Sequence, residues 1–210
     1  MDNADVEAAY ARWAPVYDLT FALVMRPGRV AAAAAASRPG GRVLDVGVGT
    51  GLELPMFDPE TRLTGVDLSR PMLAKARQRI TAQALLNVEG LVVMDAMRLA
   101  FADATFDAVV APYVLTVVPD PQASLDEWAR VVKPGGEIVL VNHVGAERGT
   151  LAAIEAWLGR RSAKLGWHPQ FPFAVIADWI ASRPDMTLVE RRPLAPLGLF
   201  TLTRMVKAAG

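Results

Sequence analysis

Apolar positions along this chain cluster in short runs, which alternate with longer segments where apolar and polar residues recur at helical spacing. Short apolar runs bounded by turn residues predict buried strands, and the longer segments predict helices. The predicted strands span residues 42–46, 62–66, 88–93, 106–111, 137–144, 187–192 and 199–206. This alternation predicts an α/β fold with a doubly wound, mostly parallel, seven-stranded sheet. The short link 193–198 predicts that the last two strands form an antiparallel hairpin.

Helices are predicted near residues 4–12, 28–37, 52–57, 122–132, 150–165 and 173–181. A further helix is predicted to begin at Ser69, where the serine caps the first turn and a proline follows at a favourable position. Pro15 ends the first helix, because the residue before a proline avoids helical geometry. The alanine-rich helix 28–37 is interpreted as a packing element without chemistry.

Three alternating glycines follow the first strand, at Gly47, Gly49 and Gly51. A strand, a glycine-rich turn and a helix start bring backbone N–H groups against a nucleotide-like ligand. A dinucleotide fingerprint would need glycine where the chain has Leu52 or Leu54, and no lysine follows the last glycine as a phosphate-binding loop requires. The motif therefore indicates an adenosine ligand that carries no pyrophosphate.

An acidic residue, Asp67, stands at the end of the second strand, where a carboxylate can accept both hydroxyls of a ribose. Ligands of open α/β sheets bind at the carboxyl ends of the strands. The pair Asp95-Ala96 follows the third strand and belongs to the same edge, although a turn aspartate is the alternative interpretation. Asp107 begins the fourth strand and is interpreted as ordering that strand's end.

These residues, together with the segment Lys133-Pro134-Gly135-Gly136, resemble the cofactor site of class I S-adenosylmethionine-dependent methyltransferases over residues 42–144. The resemblance implies a Rossmann-like sheet closed by an antiparallel hairpin, with N-terminal lid helices. It also implies S-adenosylmethionine as cofactor, S-adenosylhomocysteine as product and no metal. The cofactor residues that it implies are Tyr17, Asp45, Gly47, Gly49, Gly51, Asp67, Leu68, Asp95, Ala96 and Met97.

Two residues are candidates for catalysis, because each follows a strand at the same edge of the sheet. Tyr113 comes just after the fourth strand, and His143 lies at the end of the fifth. Either side chain could take a proton from a methyl acceptor, although a lone histidine is as often a structural hydrogen-bonding group. The other histidine, His168, precedes a proline in a loop and is interpreted as incidental.

The substrate is indicated by the segment before the first strand, which carries the aromatic residues Tyr10, Trp13 and Tyr17. With the glycine motif, this segment resembles the small, soluble bacterial phosphatidylethanolamine N-methyltransferases. The resemblance implies successive methylation of the ethanolamine head group, with Tyr10, Tyr17, Tyr113 and His143 as substrate-binding residues. Aromatic faces attract a quaternary ammonium. A quinone-ring C-methyltransferase and a catalytically silent cofactor-binding module remain the alternatives.

A lipid substrate requires a membrane contact, and two segments are candidates. The predicted helix within 150–167 places Arg160, Arg161 and Lys164 near two tryptophans, a pattern suited to an anionic bilayer surface. A solvated basic face on a core-packing helix is the alternative interpretation. The N-terminal segment 6–25 is the second candidate surface.

Composition limits the remaining function classes. A chain of 210 residues suits one methyltransferase domain, with lid and membrane-contact helices in 1–38, the cofactor core in 42–144, and substrate-side helices and closing strands in 145–210. The absence of cysteine excludes disulfides and thiolate metal sites, and the formal net charge of zero argues against nucleic-acid binding. With no leader or spanning segment in the sequence, we expect a monomeric cytoplasmic protein, associated peripherally with the inner membrane.

Overall fold

The computed structural model describes residues 22–143, 171–195 and 198–210. Its helices are α1 (Ala22–Ser37), α2 (Arg70–Gln83), α3 (Pro121–Val131) and α4 (Ala174–Ala181), with a short 3₁₀ helix at Leu54–Met56. The predicted helices at 4–12 and 150–165 lie outside the described residues. Of the predicted lid segment 1–38, the structure describes only the part from residue 22 onward.

The strands form one seven-stranded sheet in the order β3-β2-β1-β4-β5-β7-β6. They are β1 (Arg42–Val46), β2 (Arg62–Asp67), β3 (Val88–Val93), β4 (Phe106–Pro112), β5 (Val132–Asn142), β6 (Met186–Leu194) and β7 (Phe200–Lys207). The first five strands pair in parallel, and β7 runs antiparallel to both β5 and β6. The predicted doubly wound fold with a closing hairpin is confirmed.

Both faces of the sheet are covered by helices, which is why its central strands are apolar on both sides. On one face, α3 and α4 pack Trp128 and Trp179 against alternate residues of the strands, such as Val109 of β4. On the other face, α1 and α2 pack through small or branched side chains, including Ala33, against the intervening residues, such as Val110. The alanines of α1 allow this helix to approach the sheet closely.

The chain winds in opposite directions from the two central strands. β1 pairs with β2 on one side and with β4 on the other, so the connections that follow them diverge. The carboxyl ends of these strands therefore open a crevice where the strand order reverses, which is where open α/β sheets bind ligands.

Helix α1 begins earlier than predicted, and Pro27 lies inside it rather than before it. A proline inside a helix removes one backbone hydrogen bond and usually kinks or breaks the helix. The contacts of the next residue explain the difference. Gly28 packs so tightly that a Cβ there would overlap Tyr113 Oη and come within 3.0 Å of Val141 Cγ1. Tertiary packing thus holds the helix together across the proline.

Strand β5 begins at Val132, five residues before the predicted start at Glu137. Val132 pairs with Phe106, after which the register shifts until Glu137 pairs with Ala108. The glycine-containing segment 133–136 is therefore a bulge within the strand.

Asp107 orders the opposite edge of the sheet, as predicted. Its carboxylate accepts from the Arg42 amide at 2.8 Å and from Lys133 Nζ at 2.7 Å. Partial burial acts to raise the pKa of Asp107, but the hydrogen bonds from Lys133 and the Arg42 amide hold it below its usual value. This residue therefore joins β1, β4 and β5 far from the crevice.

Gly51 has a structural role that a matched pair of substitutions would test. Both Gly51 and Gly135 have positive φ, at 74° and 76°, which costs an L-residue about 1–2 kcal/mol. A Cβ at Gly51 would also lie 2.8 Å from Leu54 Cδ1 and 3.1 Å from Ala76 Cβ, whereas Gly135 is open. Gly51→Ala should therefore lower the free energy of unfolding by about 1–3 kcal/mol more than Gly135→Ala. Urea unfolding measures both, and equal losses would contradict the packing role.

Candidate active site

The crevice forms an open cleft at the carboxyl ends of β1 to β4. Its walls are mostly apolar, and Met72, Met94, Val117 and Val118 contribute side chains to it. Polar groups are few and come from the strand ends, chiefly Asp67. A mostly apolar cleft with few convergent polar groups is typical of a small-molecule site.

The glycine loop after β1 uses its amides inside the protein. The Gly47 amide donates to Val66 O at 2.8 Å, the Gly49 amide donates to Asp67 Oδ2 at 2.8 Å, and the Gly51 amide donates to a carbonyl within the loop at 2.9 Å. The prediction that these N–H groups face a ligand is therefore wrong for these three amides. Gly47 and Gly49 instead contribute backbone atoms, without side chains, to the lining of the cleft.

Asp67 is fixed at the end of β2 by two backbone donors. Its Oδ2 accepts from Gly49, and its Oδ1 accepts from the Ser69 amide at 2.8 Å. Burial raises the pKa of Asp67 above its usual value, despite the opposing effect of both hydrogen bonds. Each carboxylate oxygen has a second lone pair, so the group can still accept two ligand hydroxyls. Ser69 also caps α2 as predicted, accepting from the Met72 amide.

Asp95 forms the turn after β3 and also lines the cleft. Its Oδ1 accepts from the Met97 amide at 2.9 Å, so the turn interpretation is confirmed. The adjoining Ala96 lines the cleft, and its carbonyl accepts from Trp128 Nε1 at 3.0 Å. The turn is therefore held against α3, with Asp95 at the cleft surface.

Tyr113 lies just after β4 with an unusual backbone conformation, φ +67°. Its amide donates to Val141 O at 2.6 Å, and its hydroxyl donates to Met25 O of α1 at 2.9 Å. The ring meets Phe200 edge to face, with centroids 5.0 Å apart. A non-glycine residue held at positive φ by several contacts is often found at a functional site. Tyr113 thereby connects α1, β7 and the cleft.

His143 lies beyond the end of β5, with Nδ1 2.6 Å from Leu199 O. A carbonyl can only accept, so this contact assigns a proton to Nδ1. The imidazole lies edge-on to Phe200, with centroids 6.3 Å apart. Both contacts fix the orientation of the ring beyond the end of β5.

The structure brings most of the sequence-predicted residues to one cleft. Those that line it are Gly47, Gly49, Asp67, Leu68, Asp95, Ala96 and Tyr113. Asp45, Gly51, Met97 and His143 contribute no surface to this cleft, although Met97 belongs to the Asp95 turn. Tyr10 and Tyr17 lie outside the described residues.

Sequence reasoning missed two charged residues beside the glycine loop. A smaller cavity adjoins the cleft, and Arg29 and Glu53 line it. Arg29 Nε lies 3.4 Å from Glu53 Oε2, with side chains only 4% and 7% exposed. Arg29 was overlooked because it precedes an alanine-rich stretch assigned to packing alone. A charged residue on the buried side of such a helix is the signal that could have found it.

Asp45 adds a second carboxyl group beneath this smaller cavity. Both of its oxygens are buried, and no hydrogen-bond donor among the described residues reaches them. Burial, followed by the neighbouring Glu53, raises the pKa of Asp45 well above its usual value. Burial also raises the pKa of Glu53 to about 7, against the lowering effect of Arg29. The hydrogen bond between the two carboxyls raises the pKa of Asp45 and lowers that of Glu53, so Asp45 holds the proton and donates to Glu53.

Two features are absent from the described ranges: a cluster of metal ligands and a membrane-spanning helix. Residues 22–143, 171–195 and 198–210 contain no group of three or more acidic, histidine or cysteine side chains that could hold a metal ion. In those same ranges, no helix has the length and apolar character needed to cross a membrane.

Comparison with known proteins is consistent with this geometry. Residues 44–140 match the family described as a methyltransferase domain. A phosphatidylethanolamine N-methyltransferase of Cereibacter sphaeroides is 44% identical over 204 residues, covering 97% of this chain and 98% of that protein. A ubiquinone/menaquinone biosynthesis C-methyltransferase of Desulfotalea psychrophila is 41% identical over 113 residues, covering 52% of this chain and 44% of that protein.

Solved structures support the fold. A Thermotoga maritima S-adenosylmethionine-dependent methyltransferase, described as a possible histamine N-methyltransferase, superposes with a TM-score of 0.70 at 22% identity, covering 95% of this chain and 99% of that one. The Bacillus subtilis protein YcgJ superposes with a TM-score of 0.71 at 18% identity, covering 87% and 99%. At these identities the similarity establishes the architecture alone.

The Asp45–Glu53 pair predicts an unusual dependence of stability on pH. The folded-state pKa of Glu53 is about 7 and its ordinary value is 4.5, so between these values the native state keeps a proton that the unfolded chain loses. Stability should therefore fall as pH rises through this window. Glu53→Gln should flatten that fall, because it removes the group that titrates near 7 while the amide oxygen can still accept from Asp45. The midpoint of urea unfolding at several pH values measures both.

Glu60→Gln is the control, since Glu60 lies on the surface in the same segment. It should keep the wild-type slope. Two results would contradict the raised pKa of Glu53. One is a wild-type unfolding midpoint that does not change across this pH window. The other is a Glu53→Gln variant whose midpoint falls with pH as steeply as that of the wild type.

Proposed function

We propose that this chain, which belongs to the class I S-adenosylmethionine-dependent methyltransferases, methylates the amine of phosphatidylethanolamine at a membrane surface. Successive transfers would give the mono- and dimethyl lipids and then phosphatidylcholine. The observation that carries the proposal is the 44% identity to the Cereibacter sphaeroides enzyme, which extends over 97% of this chain. The match to the Desulfotalea psychrophila C-methyltransferase covers 52% of the chain.

The cleft fits the adenosine part of the cofactor. Asp67 retains acceptor capacity for the two ribose hydroxyls, and Asp95 offers a carboxylate to the amino group of adenine. The apolar side chains of Met72, Met94 and Val118 suit the faces of a flat base. S-adenosylmethionine, when bound, supplies a methyl group already activated by its sulfonium.

The chain's own residues then have to prepare the acceptor amine. An ethanolamine ammonium has a pKa near that of lysine, so only about one molecule in a thousand is nucleophilic at neutral pH. The Nδ1 of His143 donates to Leu199 O, which fixes the orientation of the imidazole. We assign proton removal to His143, directly or through a water, and the positioning of the amine to Tyr113. The apolar walls further disfavour the charged amine by excluding water.

As methyl groups accumulate on the amine, the positively charged intermediates need aromatic side chains around them. The rings of Tyr113 and Phe200 meet edge to face near the end of β5. Such rings attract a quaternary ammonium through their faces. Tyr10 and Tyr17 are proposed as further aromatic contacts, Tyr17 also to the cofactor, although both lie outside the described residues.

The start of α1 offers a surface for the bilayer. Leu23 is 79% exposed, and Val24 and Val30 are also exposed large apolar side chains. Arg26 and Pro27 are exposed on the same helix. Exposed apolar residues beside a cation suit the interface of an anionic membrane. The proposal therefore includes a monomeric cytoplasmic enzyme that attaches peripherally to the inner membrane.

The lipid activity can be tested with labelled S-adenosylmethionine and vesicles of phosphatidylethanolamine and phosphatidylglycerol. We expect label in mono-, di- and trimethylated head groups, separated by chromatography, and none in a demethylated naphthoquinone supplied in parallel. His143→Ala should lower turnover by about 10²–10⁴-fold, the usual contribution of a general base, while cofactor affinity stays near wild type. Label in the quinone and not in the lipid would overturn the proposal.

The cofactor assignment can be tested at Asp67. Asp67→Ala should weaken S-adenosylmethionine binding by about 1.5–3 kcal/mol, the range for hydrogen bonds to a charged acceptor. Isothermal titration calorimetry measures the affinity. Asp107→Ala is the control, because that carboxylate lies at the opposite edge of the sheet, and it should bind the cofactor normally. Unchanged affinity in Asp67→Ala would remove this residue from the ribose site.

A further inference from the structure

Charge is distributed unevenly between the helices on the two faces of the sheet. Helix α1 carries two arginines, helix α2 carries three arginines and a lysine, and neither helix contains an acidic residue. On the other face, α3 carries two acidic residues and one arginine, and α4 carries a single aspartate. The formal net charge of the whole chain is zero. The face formed by α1 and α2 therefore attracts an anionic partner, and the opposite face does not.

Part of this positive charge lies at the surface of the protein. Arg29 is engaged inside the protein by Glu53, and Arg79 Nε donates to the carbonyl oxygen of Thr50 at 3.1 Å. The exposed arginines of α1 and α2 are Arg26, Arg70 and Arg77. These three side chains carry the charge that an external partner would meet.

Arg70 and Arg77 lie on one stripe of α2. Seven residues make nearly two full turns of a helix, so both side chains leave α2 in almost the same direction, with the exposed Ala74 between them. Arg77 Nη2 lies 3.5 Å from Leu91 O, so the stripe borders β3, the edge strand of the sheet. Leu91 packs on the α1/α2 side of the core, and Val93, two residues later, lies on the same side and is 36% exposed. The α2 stripe, formed by Arg70, Ala74 and Arg77, thus borders an exposed apolar residue.

Exposed acidic residues near α1 lie at the edge of the sheet opposite to the cleft. Asp58 and Glu60 are exposed in the turn that leads into β2, and the Asp58 amide donates to Ser37 Oγ at the end of α1. Helices α1 and α2 both begin at the carboxyl edge of the sheet, because α2 follows the end of β2 and α1 ends just before β1 begins. The cleft opens at this same edge. An anionic surface is therefore attracted most strongly to the edge that holds the cleft.

We propose that the α2 stripe and Val93 form a second contact with an anionic lipid bilayer, beside the start of α1, so that the cleft opens onto the lipid head groups. This inference rests on the proposed lipid substrate. Arginines next to exposed apolar side chains suit the interface of an anionic bilayer. A soluble polyanion would engage the arginines alone, whereas a bilayer also covers Val93 and, on α1, the exposed Leu23 and Val24. Contacts at two helices fix the orientation of the protein on the bilayer, which a single contact on α1 does not.

The orientation can be tested with single labels, because the sequence contains no cysteine. Ala74→Cys and Ala181→Cys replace exposed alanines on α2 and at the end of α4, and each is labelled with a polarity-sensitive fluorophore. On vesicles of phosphatidylethanolamine and phosphatidylglycerol, the Ala74 label should shift its emission to the blue and be quenched by nitroxide-labelled lipids, and the Ala181 label should do neither. Leu23→Cys reports the contact at α1. A response at Leu23 without one at Ala74, or equal responses at Ala74 and Ala181, would overturn the inference.

The charge contribution can be tested by vesicle sedimentation. The double variant Arg70→Gln/Arg77→Gln should bind the same anionic vesicles about 30-fold more weakly, since each cation near an anionic surface contributes about 1 kcal/mol. Its binding to phosphatidylcholine vesicles should match that of the wild type. Arg38→Gln is the control, because it removes an exposed arginine at the other end of α1, and it should change the affinity less than twofold. Unchanged binding of the double variant to anionic vesicles would overturn the inference.

A water-soluble substrate separates this contact from the chemistry. Dibutyroyl phosphatidylethanolamine dissolves as single molecules and needs no bilayer, so the double variant should methylate it at the wild-type rate while methylating vesicle lipid more slowly. An equal loss on both substrates would assign the two arginines to the active site or to folding and overturn the inference. A wild-type protein whose Ala74 label responds to vesicles but which methylates neither lipid would instead overturn the proposed function.

Discussion

The hydrogen bonds that join the glycine loop to the end of β2 position most of the candidate site. Gly47 donates to Val66 O, and Gly49 donates to the Asp67 carboxylate. These bonds continue the parallel pairing of β1 with β2 past the last ladder residue, so the loop cannot move without Asp67. The same carboxylate accepts from Ser69, which caps α2. The Asp67 side chain, which is proposed to bind ribose, thus links the glycine loop at the floor of the cleft to the start of α2.

This arrangement explains why the sequence predicted the fold well and the loop's chemistry less well. Strands buried on both faces must be apolar throughout, so runs such as Phe106–Pro112 are visible without a structure. The spacing of Gly47, Gly49 and Gly51 reveals that a backbone needs room, but it does not reveal which acceptor each amide finds. That information depends on contacts between residues distant in sequence, here Gly49 and Asp67.

The other differences have the same origin. The predicted helix began at residue 28, just after Pro27. The close approach of Gly28 to Tyr113 and Val141 explains why α1 continues through the proline. The contact made by Arg29 could not be predicted from the sequence for a related reason. Its neighbours are alanines that pack on the sheet, and its importance depends on Glu53, which another element brings to it. Local patterns reveal which side of a helix is buried, but they do not reveal the charges that meet there.

Helix α1 connects an exposed apolar surface with Tyr113 and Arg29 of the candidate site. Its first turns carry the exposed Leu23 and Val24, the carbonyl of Met25 accepts from Tyr113, and Arg29 enters the smaller cavity one turn later. Pro27 removes one backbone hydrogen bond from this part of α1, and the close packing of Gly28 against Tyr113 and Val141 holds the helix together there. A membrane that engaged Leu23 would therefore act on the positions of Tyr113 and Arg29 through a short, packed segment of helix. Tyr113 lines both the cleft and the smaller cavity, so such a movement would reach both parts of the candidate site together.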